Sequence, residues 1–115
     1  MITLVTLWNL TYAAEGPKFN WGANLGSNSG DEVVNAIKTD ASGNVYVTGK
    51  FSGQNVDFDL GAGSTLLSSV GGSDVFLAKY NTQGQLQWAK AMGGTGADVA
   101  RAMAIASDGT VWLTG

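Results

Sequence analysis

The sequence predicts an all-β chain, a β-propeller fragment of about one complete four-stranded antiparallel blade plus parts of two neighbouring blades. Three observations predict it. Seventeen Gly against one Pro, with four Trp, three Tyr, four Phe and 13% charged residues, is a turn-rich, aromatic-rich balance that favours strands. The chain repeats itself with a period of 66 to 67 residues. Within each period, short segments apolar on both alternating faces are separated by turn chemistry, so that neither sheet face suits water.

The repeat carries most of the weight. Trp21-Gly-Ala-Asn-Leu-Gly26 is echoed by Trp88-Ala-Lys-Ala-Met-Gly93. The stretch from Ala36 through Asp40 and Gly43 to Val45-Tyr-Val-Thr-Gly49 returns from Ala102 through Gly109 to Val111-Trp-Leu-Thr-Gly115. One residue is lost between the two blocks, near Asp31 and Asp98, where a loop tolerates it. A length of 115 residues is about 1.7 such units, whereas closed propellers use typically about four to eight.

Taken in order, residues 1–15 are either a truncated export signal or a strand of a preceding blade. The apolar run from Ile2 to Leu7 is too short to span a bilayer, and its first positive charge is Lys18. Thr3, Val5, Thr6 and Trp8 suit a strand. Residues 16–32 hold the last strand of a partial blade and a loop. Residues 33–98 form the complete repeat, with strands expected at Val33 to Thr39, Asn44 to Phe51, Asp74 to Tyr80 and Gln85 to Met92. Asp40-Ala-Ser-Gly43 and Asn81-Thr-Gln-Gly84 supply the hairpin turns. Residues 99–115 are the first half of a further, truncated repeat. Small residues at Ala36, Ala78, Ala89, Ala91, Ala102 and Ala104 are expected to let adjacent twisted sheets approach closely. Trp21, Trp88 and Trp112 recur periodically and so read as core or inter-blade contacts rather than a sugar-stacking platform.

Composition excludes several functions. A net charge of -3 with no basic stripe argues against nucleic acid as a partner. Without Cys or His there is no disulfide, no thiolate or imidazole metal site and no Ser-His-Asp or Cys-His machinery in these residues. Gly93-Gly-Thr-Gly96 lacks the following Lys and Ser/Thr of a phosphate loop. No cofactor is implied.

Four motifs together resemble the bacterial beta-propeller repeat called SBBP. They are Trp88-Ala-Lys-Ala-Met-Gly-Gly-Thr-Gly-Ala-Asp98, Asp40-Ala-Ser-Gly-Asn-Val-Tyr-Val-Thr-Gly49, Asp57-Phe-Asp-Leu-Gly61 and Gly72-Ser-Asp-Val-Phe-Leu-Ala-Lys79. The resemblance spans nearly everything from Phe19 to Gly115. It implies a propeller-like fold in large, exported, multi-repeat bacterial proteins, and it transfers no catalytic residue. Two positions depart from it: Leu60 stands where such repeats commonly carry Pro, and Ala106 stands at the counterpart of Asp40.

The most function-like stretch runs from Ser52 to Ser73, long, polar and Gly-rich between two strands. Asn55, Asp57, Asp59 and Ser64 are its candidate binding-loop residues. The competing reading, which the pattern favours, is an extra hairpin with Asn55 to Asp59 pairing against Ser64 to Ser68. Asp57 and Asp59 begin like a calcium loop, but Gly61 stands where a third Asp or Asn belongs and Ser68 where a bidentate Glu is required. Asp57 with Asp59, and Asp31 with Glu32, are the closest carboxylate pairs, and they read as surface turn acids rather than a glycosidase pair. The Asp-before-Gly turns lack the spacing of a sialidase Asp-box and read as caps.

The expected function is that of a non-catalytic structural or binding segment of a secreted or cell-surface bacterial propeller protein, acting in adhesion or in protein or glycan interaction. One alternative is a non-catalytic part of an extracellular polysaccharide-acting enzyme whose active site lies elsewhere. Another is a carbohydrate-binding module. The expected partners are neighbouring blades and a protein or glycan ligand, with no membrane span, and the isolated fragment is expected to self-associate through its uncovered edges and faces.

Overall fold

The computed structural model describes residues 5–13, 16–26 and 30–115, with side chains described from residue 21 onward. Ten strands follow in order: β1 (Val5–Ala13), β2 (Gly16–Leu25), β3 (Glu32–Thr39), β4 (Val45–Phe51), β5 (Val56–Asp57), β6 (Leu66–Leu67), β7 (Asp74–Tyr80), β8 (Leu86–Met92), β9 (Ala102–Ile105) and β10 (Val111–Thr114). No helix is present among the described residues. The four strands expected between Val33 and Met92 are found within one residue of their expected ends. They form a single antiparallel sheet in the order β3-β4-β7-β8.

The repeat is a repeat in three dimensions. Ala36↔Thr48 and Ile37↔Val47 pair across β3 and β4, and Ala102↔Thr114 and Met103↔Leu113, each 66 positions on, pair identically across β9 and β10. On the other side β1 pairs antiparallel with β2. There Trp21 lies opposite Asn9 immediately before a register shift, just as Trp88 lies opposite Lys79 immediately before one. Thus β1 and β2 occupy the roles of β7 and β8 in the preceding unit. The export-signal reading of residues 1–15 falls partly on positions 1–4, 14 and 15, outside the described residues; Val5–Ala13 is strand.

Three hairpin turns share one geometry. The N–H groups of Gly43, Gly84 and Gly109 each donate to the carbonyl three residues earlier, with φ near 83°, 81° and 86°. That is a turn closed by a left-handed residue, which a side chain disfavours. Asp40 Oδ1 caps it by accepting from the N–H groups of Ser42 and Asn44, and Asn81 Oδ1 accepts from Gln83 and Gln85 in the same way. Ala106 has no side-chain acceptor, and Asp108 instead accepts from Thr110.

Both faces of the central sheet are buried, as the apolar alternation of β4 and β7 requires. On one face Val45, Val47, Phe51, Phe76, Ala78 and Tyr80 pack with Leu25, Val56 and Phe58. On the other, Tyr46 and Leu77 pack against Met103, with Ile105, Val111 and Leu113 beside them. The first face is thus covered by the preceding unit and by the β5–β6 hairpin, the second by the following unit. Thr48 is fully buried between them and donates from Oγ1 to the Phe76 carbonyl at 2.6 Å. Thr48→Val keeps the shape and loses this bond, so unfolding free energy is expected to fall by about 1 kcal/mol in urea titration.

The favoured hairpin reading of Ser52 to Ser73 holds, with β5 pairing antiparallel to β6 inside the expected Asn55 to Asp59 and Ser64 to Ser68. Val56, Phe58 and Ser69 are buried, and the Tyr80 hydroxyl donates to the Phe58 carbonyl at 2.9 Å, so the segment covers the core of one sheet face, with Phe51 and Phe76 beneath Phe58. Three sequence expectations need correction. Glu32, expected at the surface, is wholly buried at the start of β3 opposite Phe51. Ala91, Ala102 and Ala104 are exposed rather than wedged between sheets. Trp112 is 65% exposed although its counterpart Tyr46 is 3% exposed, since no described residue covers that face of β9 and β10.

Candidate binding groove

The seam between β2 and the central sheet opens into a groove of about 450 Å³, lined by Trp21, by the turn from Asp59 to Gly63 and by the turn from Gln83 to Leu86. Each wall has a local cause. Strand β2 delivers Trp21 onto Tyr80, ring centroids 6.4 Å apart, and its indole lies over Gly84, where an added methyl would approach Cδ2 to 2.9 Å. Nε1 of Trp21 is buried and has no hydrogen-bond partner among the described residues. Asn81 pins the second wall, accepting from Gln83 and Gln85 and donating from Nδ2 to Gln85 Oε1 at 2.8 Å. Gln83 and Gln85 are exposed at its rim.

The third wall hangs on Asp57 and Asp59. Asp57 Oδ1 accepts from the N–H groups of Asp59 and Thr65 at 3.0 and 2.9 Å, while Ser64 Oγ donates to Oδ2. Partial burial pushes the Asp57 carboxyl up, but those donors outweigh it and hold it below its ordinary value. Asp59 Oδ1 accepts from the Gly61 N–H at 2.8 Å, closing a tight turn. Tyr80 lies behind, its phenol pushed well up first by burial and then by the Asp59 and Asp57 charges, so it stays a neutral donor.

Of the four candidate loop residues, only Asp59 reaches the groove. Asn55, in a left-handed conformation at φ 56°, gives its N–H to Ser68 Oγ; with Asp57 and Ser64 it ties the β5–β6 hairpin together. Asp57 is spent on N–H and hydroxyl donors of its own segment, whereas Asp59 gives one oxygen, Oδ1, to the Gly61 N–H. Among the described residues no group of three or more acidic side chains is placed to hold a metal ion. Nor is any helix there long and apolar enough to cross a membrane.

A second acidic constellation went unsignalled in the sequence. Asp74, 2% exposed, accepts from the Val70 N–H through Oδ2, and Asp98 accepts from the Gly94 N–H at 2.9 Å. Backbone bonds from Gly72 to Gly96 and from Asp98 to Ser73 lock the two loops together. The two carboxylates close on Gly93, where a methyl would meet Asp74 Oδ1 at 2.7 Å and Asp98 Oδ2 at 2.9 Å.

The turn carboxylates give the fold an acid limit. Asp40 is held below its ordinary value, chiefly by the Asn44 side-chain amide; burial opposes this, and the N–H groups of Asn44 and Ser42 and the Lys79 charge add to it. A carboxyl depressed in the folded state stabilises the fold above its unfolded value, near pH 4, and loses that contribution as pH falls through the folded value. The urea midpoint is therefore expected to drop below about pH 4. Asp57→Asn is expected to flatten that drop when midpoints are compared between pH 6 and pH 2.5, values chosen on about 1.5 pH units either side of the unfolded carboxylate range.

No protein-family model matches the sequence. Over 80 residues the chain is 34% identical to an uncharacterized WD repeat-containing protein of Acanthamoeba polyphaga mimivirus, an alignment covering 68% of this chain. The chain spans about 6% of the length of that relative. WD repeats are four-stranded propeller blades, which is the unit that β3, β4, β7 and β8 build. A single sheet buried on both faces, flanked by half-units in identical register, makes this chain a β-propeller fragment: one complete antiparallel blade with parts of its two neighbours.

Proposed function

We propose that this chain is a non-catalytic binding segment of a secreted or cell-surface bacterial propeller protein of the SBBP type, and that it engages a hydroxyl-rich ligand, a glycan, at the Trp21 groove. The observation that carries this reading is the convergence of an indole, a carboxylate and two exposed amides on one concave seam. Binding sites of this kind are concave, with a few placed polar groups and an aromatic wall. The likeness to a WD repeat-containing protein supports a propeller serving as an interaction scaffold. The four SBBP-like motifs support the bacterial, exported setting.

The test uses the whole chain on a panel of glycans, with the double variant Gln83→Ala and Gln85→Ala. Both side chains are exposed, so thermal stability is expected to stay within about 0.5 kcal/mol. Affinity for the bound glycan is expected to weaken about tenfold, roughly the loss of one hydrogen bond of 1.4 kcal/mol. Undiminished binding by the variant, or binding to protein ligands alone, overturns the glycan reading.

A further inference from the structure

We infer that Asp74 and Asp98 hold a hard divalent cation, calcium, where the two interlocked loops close on Gly93, a site separate from the Trp21 groove. Asp74 heads β7 and is 2% exposed, yet its Oδ1 is buried with no hydrogen-bond partner among the described residues. Its other oxygen, Oδ2, accepts from the Val70 N–H at 3.1 Å. Oδ1 faces Gly93, and Asp98 Oδ2 comes to the same spot: a methyl placed on Gly93 would lie 2.7 Å from the first and 2.9 Å from the second. Two carboxylate oxygens therefore converge on one point, and only that of Asp98 has a donor, the Gly94 N–H. Among the described residues no Lys or Arg forms an ion pair with either group. Like charges brought together away from water repel, and a buried carboxylate oxygen without a donor has lost its hydration with nothing in exchange. A cation between the two relieves both, and a divalent one balances two carboxylates.

The loops hold that geometry in place. Ser73 and Ala97 form a parallel bridge, the Gly72 N–H donates to the Gly96 carbonyl, and the Asp98 N–H donates to the Ser73 carbonyl. Ser73 Oγ in turn donates to the Asp98 carbonyl at 3.2 Å. Both carboxylates thus stand on backbone that is tied across the two loops, so their oxygens are positioned before a cation arrives. Position 93 needs glycine because a side chain would fill the point of convergence. Asp98 is half-buried and also lines a cleft of about 290 Å³ with Ser73, Asn35, Lys50 and Arg101, which gives a hydrated cation a way in. Calcium takes about six to eight oxygens from carboxylates, carbonyls and water in adaptable geometry, whereas magnesium demands a near-ideal octahedron. Two carboxylates with water from the cleft suit calcium. The Lys50 and Arg101 charges in the same cleft oppose it, which sets a weak affinity of about 0.1–1 mM.

Isothermal titration of the full chain with calcium chloride, and urea titrations in EDTA and in about 10 mM calcium, test this. One calcium per chain is expected. The unfolding equilibrium constant is expected to fall about 10- to 100-fold, the mass-action result when the cation stands at about ten to a hundred times its dissociation constant. Magnesium at the same concentration is expected to give a smaller shift. Asp74→Asn and Asp98→Asn keep the side-chain shape and remove one charge each, and each is expected to abolish the calcium response. Asp98→Asn, at the half-buried position, keeps the test readable where Asp74→Asn does not fold. Asp57→Asn, in the other acidic pair, is expected to retain the response in full. A wild type that neither binds calcium nor gains stability from it, as when a bridging water or a shared proton fills the site, overturns the proposal. So does a calcium response that survives Asp98→Asn or disappears in Asp57→Asn, and an equal shift with magnesium overturns the assignment to calcium.

Discussion

Phe58→Ala is expected to remove about 3–5 kcal/mol from the unfolding free energy of the central sheet. Phe58 is fully buried, with its ring 5.4 Å from Phe51 and 5.0 Å from Phe76, and its carbonyl accepts the Tyr80 hydroxyl. Removing a buried Phe side chain costs about 3–5 kcal/mol, against about 5–15 kcal/mol for a whole domain. The short β5–β6 ladder leans on that anchor: its strands pair at Val56↔Leu67 and Asp57↔Leu66, and the next bond runs from the Phe58 N–H to the Thr65 carbonyl. The measurement is a urea titration followed by near-ultraviolet dichroism. A loss of unfolding free energy below about 1 kcal/mol, the scale of an ordinary surface change, would return Ser52 to Ser73 to the status of a loop free to bind.

That result also marks what the sequence discloses. The strands of the central blade are legible to within a residue because their signals are local: alternation apolar on both faces, bounded by Asp40 to Gly43 and Asn81 to Gly84. Register between units is legible because the copies share it. Where Phe58 points is not, since Asn55 to Asp59 shows a strand pattern whether it projects or folds back; only Phe51 and Phe76, brought from distant positions, decide it. The buried Asp74 is hidden for the same reason. Its partner Val70 lies beside it in sequence, but Gly93 and Asp98 reach it through the pairing of loops about 20 residues apart, a non-local contact that periodicity does not encode.

The groove shows both regimes at once. Trp21 is placed by its echo at Trp88, and the reading of it as an inter-blade contact holds, since it packs on Tyr80 across the seam. Gln83 and Gln85 carry no signal beyond turn composition. They reach the rim because the Asn81 cap fixes the turn that Trp21 covers. The loop candidates fare unevenly: Asp59 reaches the groove, while Asp57 and Ser64 serve the hairpin beneath it.

The three glycine turns allow the Trp21 contact to be weighed separately from backbone strain. Gly109→Ala introduces a side chain at φ 86° with nothing within 4 Å of the new methyl, so it reports the left-handed penalty alone, about 1–2 kcal/mol. Gly84→Ala meets the same penalty at φ 81°, and its methyl would also lie 2.9 to 3.0 Å from two atoms of the Trp21 ring. The indole cannot slide away freely, because it is packed against Tyr80 and the core cluster to which Tyr80 belongs. Overpacking of this kind costs about 1–3 kcal/mol more. Gly84→Ala is therefore expected to destabilise by about twice as much as Gly109→Ala in parallel urea titrations. In the background of Trp21→Ala the excess should vanish, since the new methyl then has room. Equal losses for the two glycine variants in the wild-type background would mean that β2 does not press on the central blade in solution, and the groove between them would lose its wall.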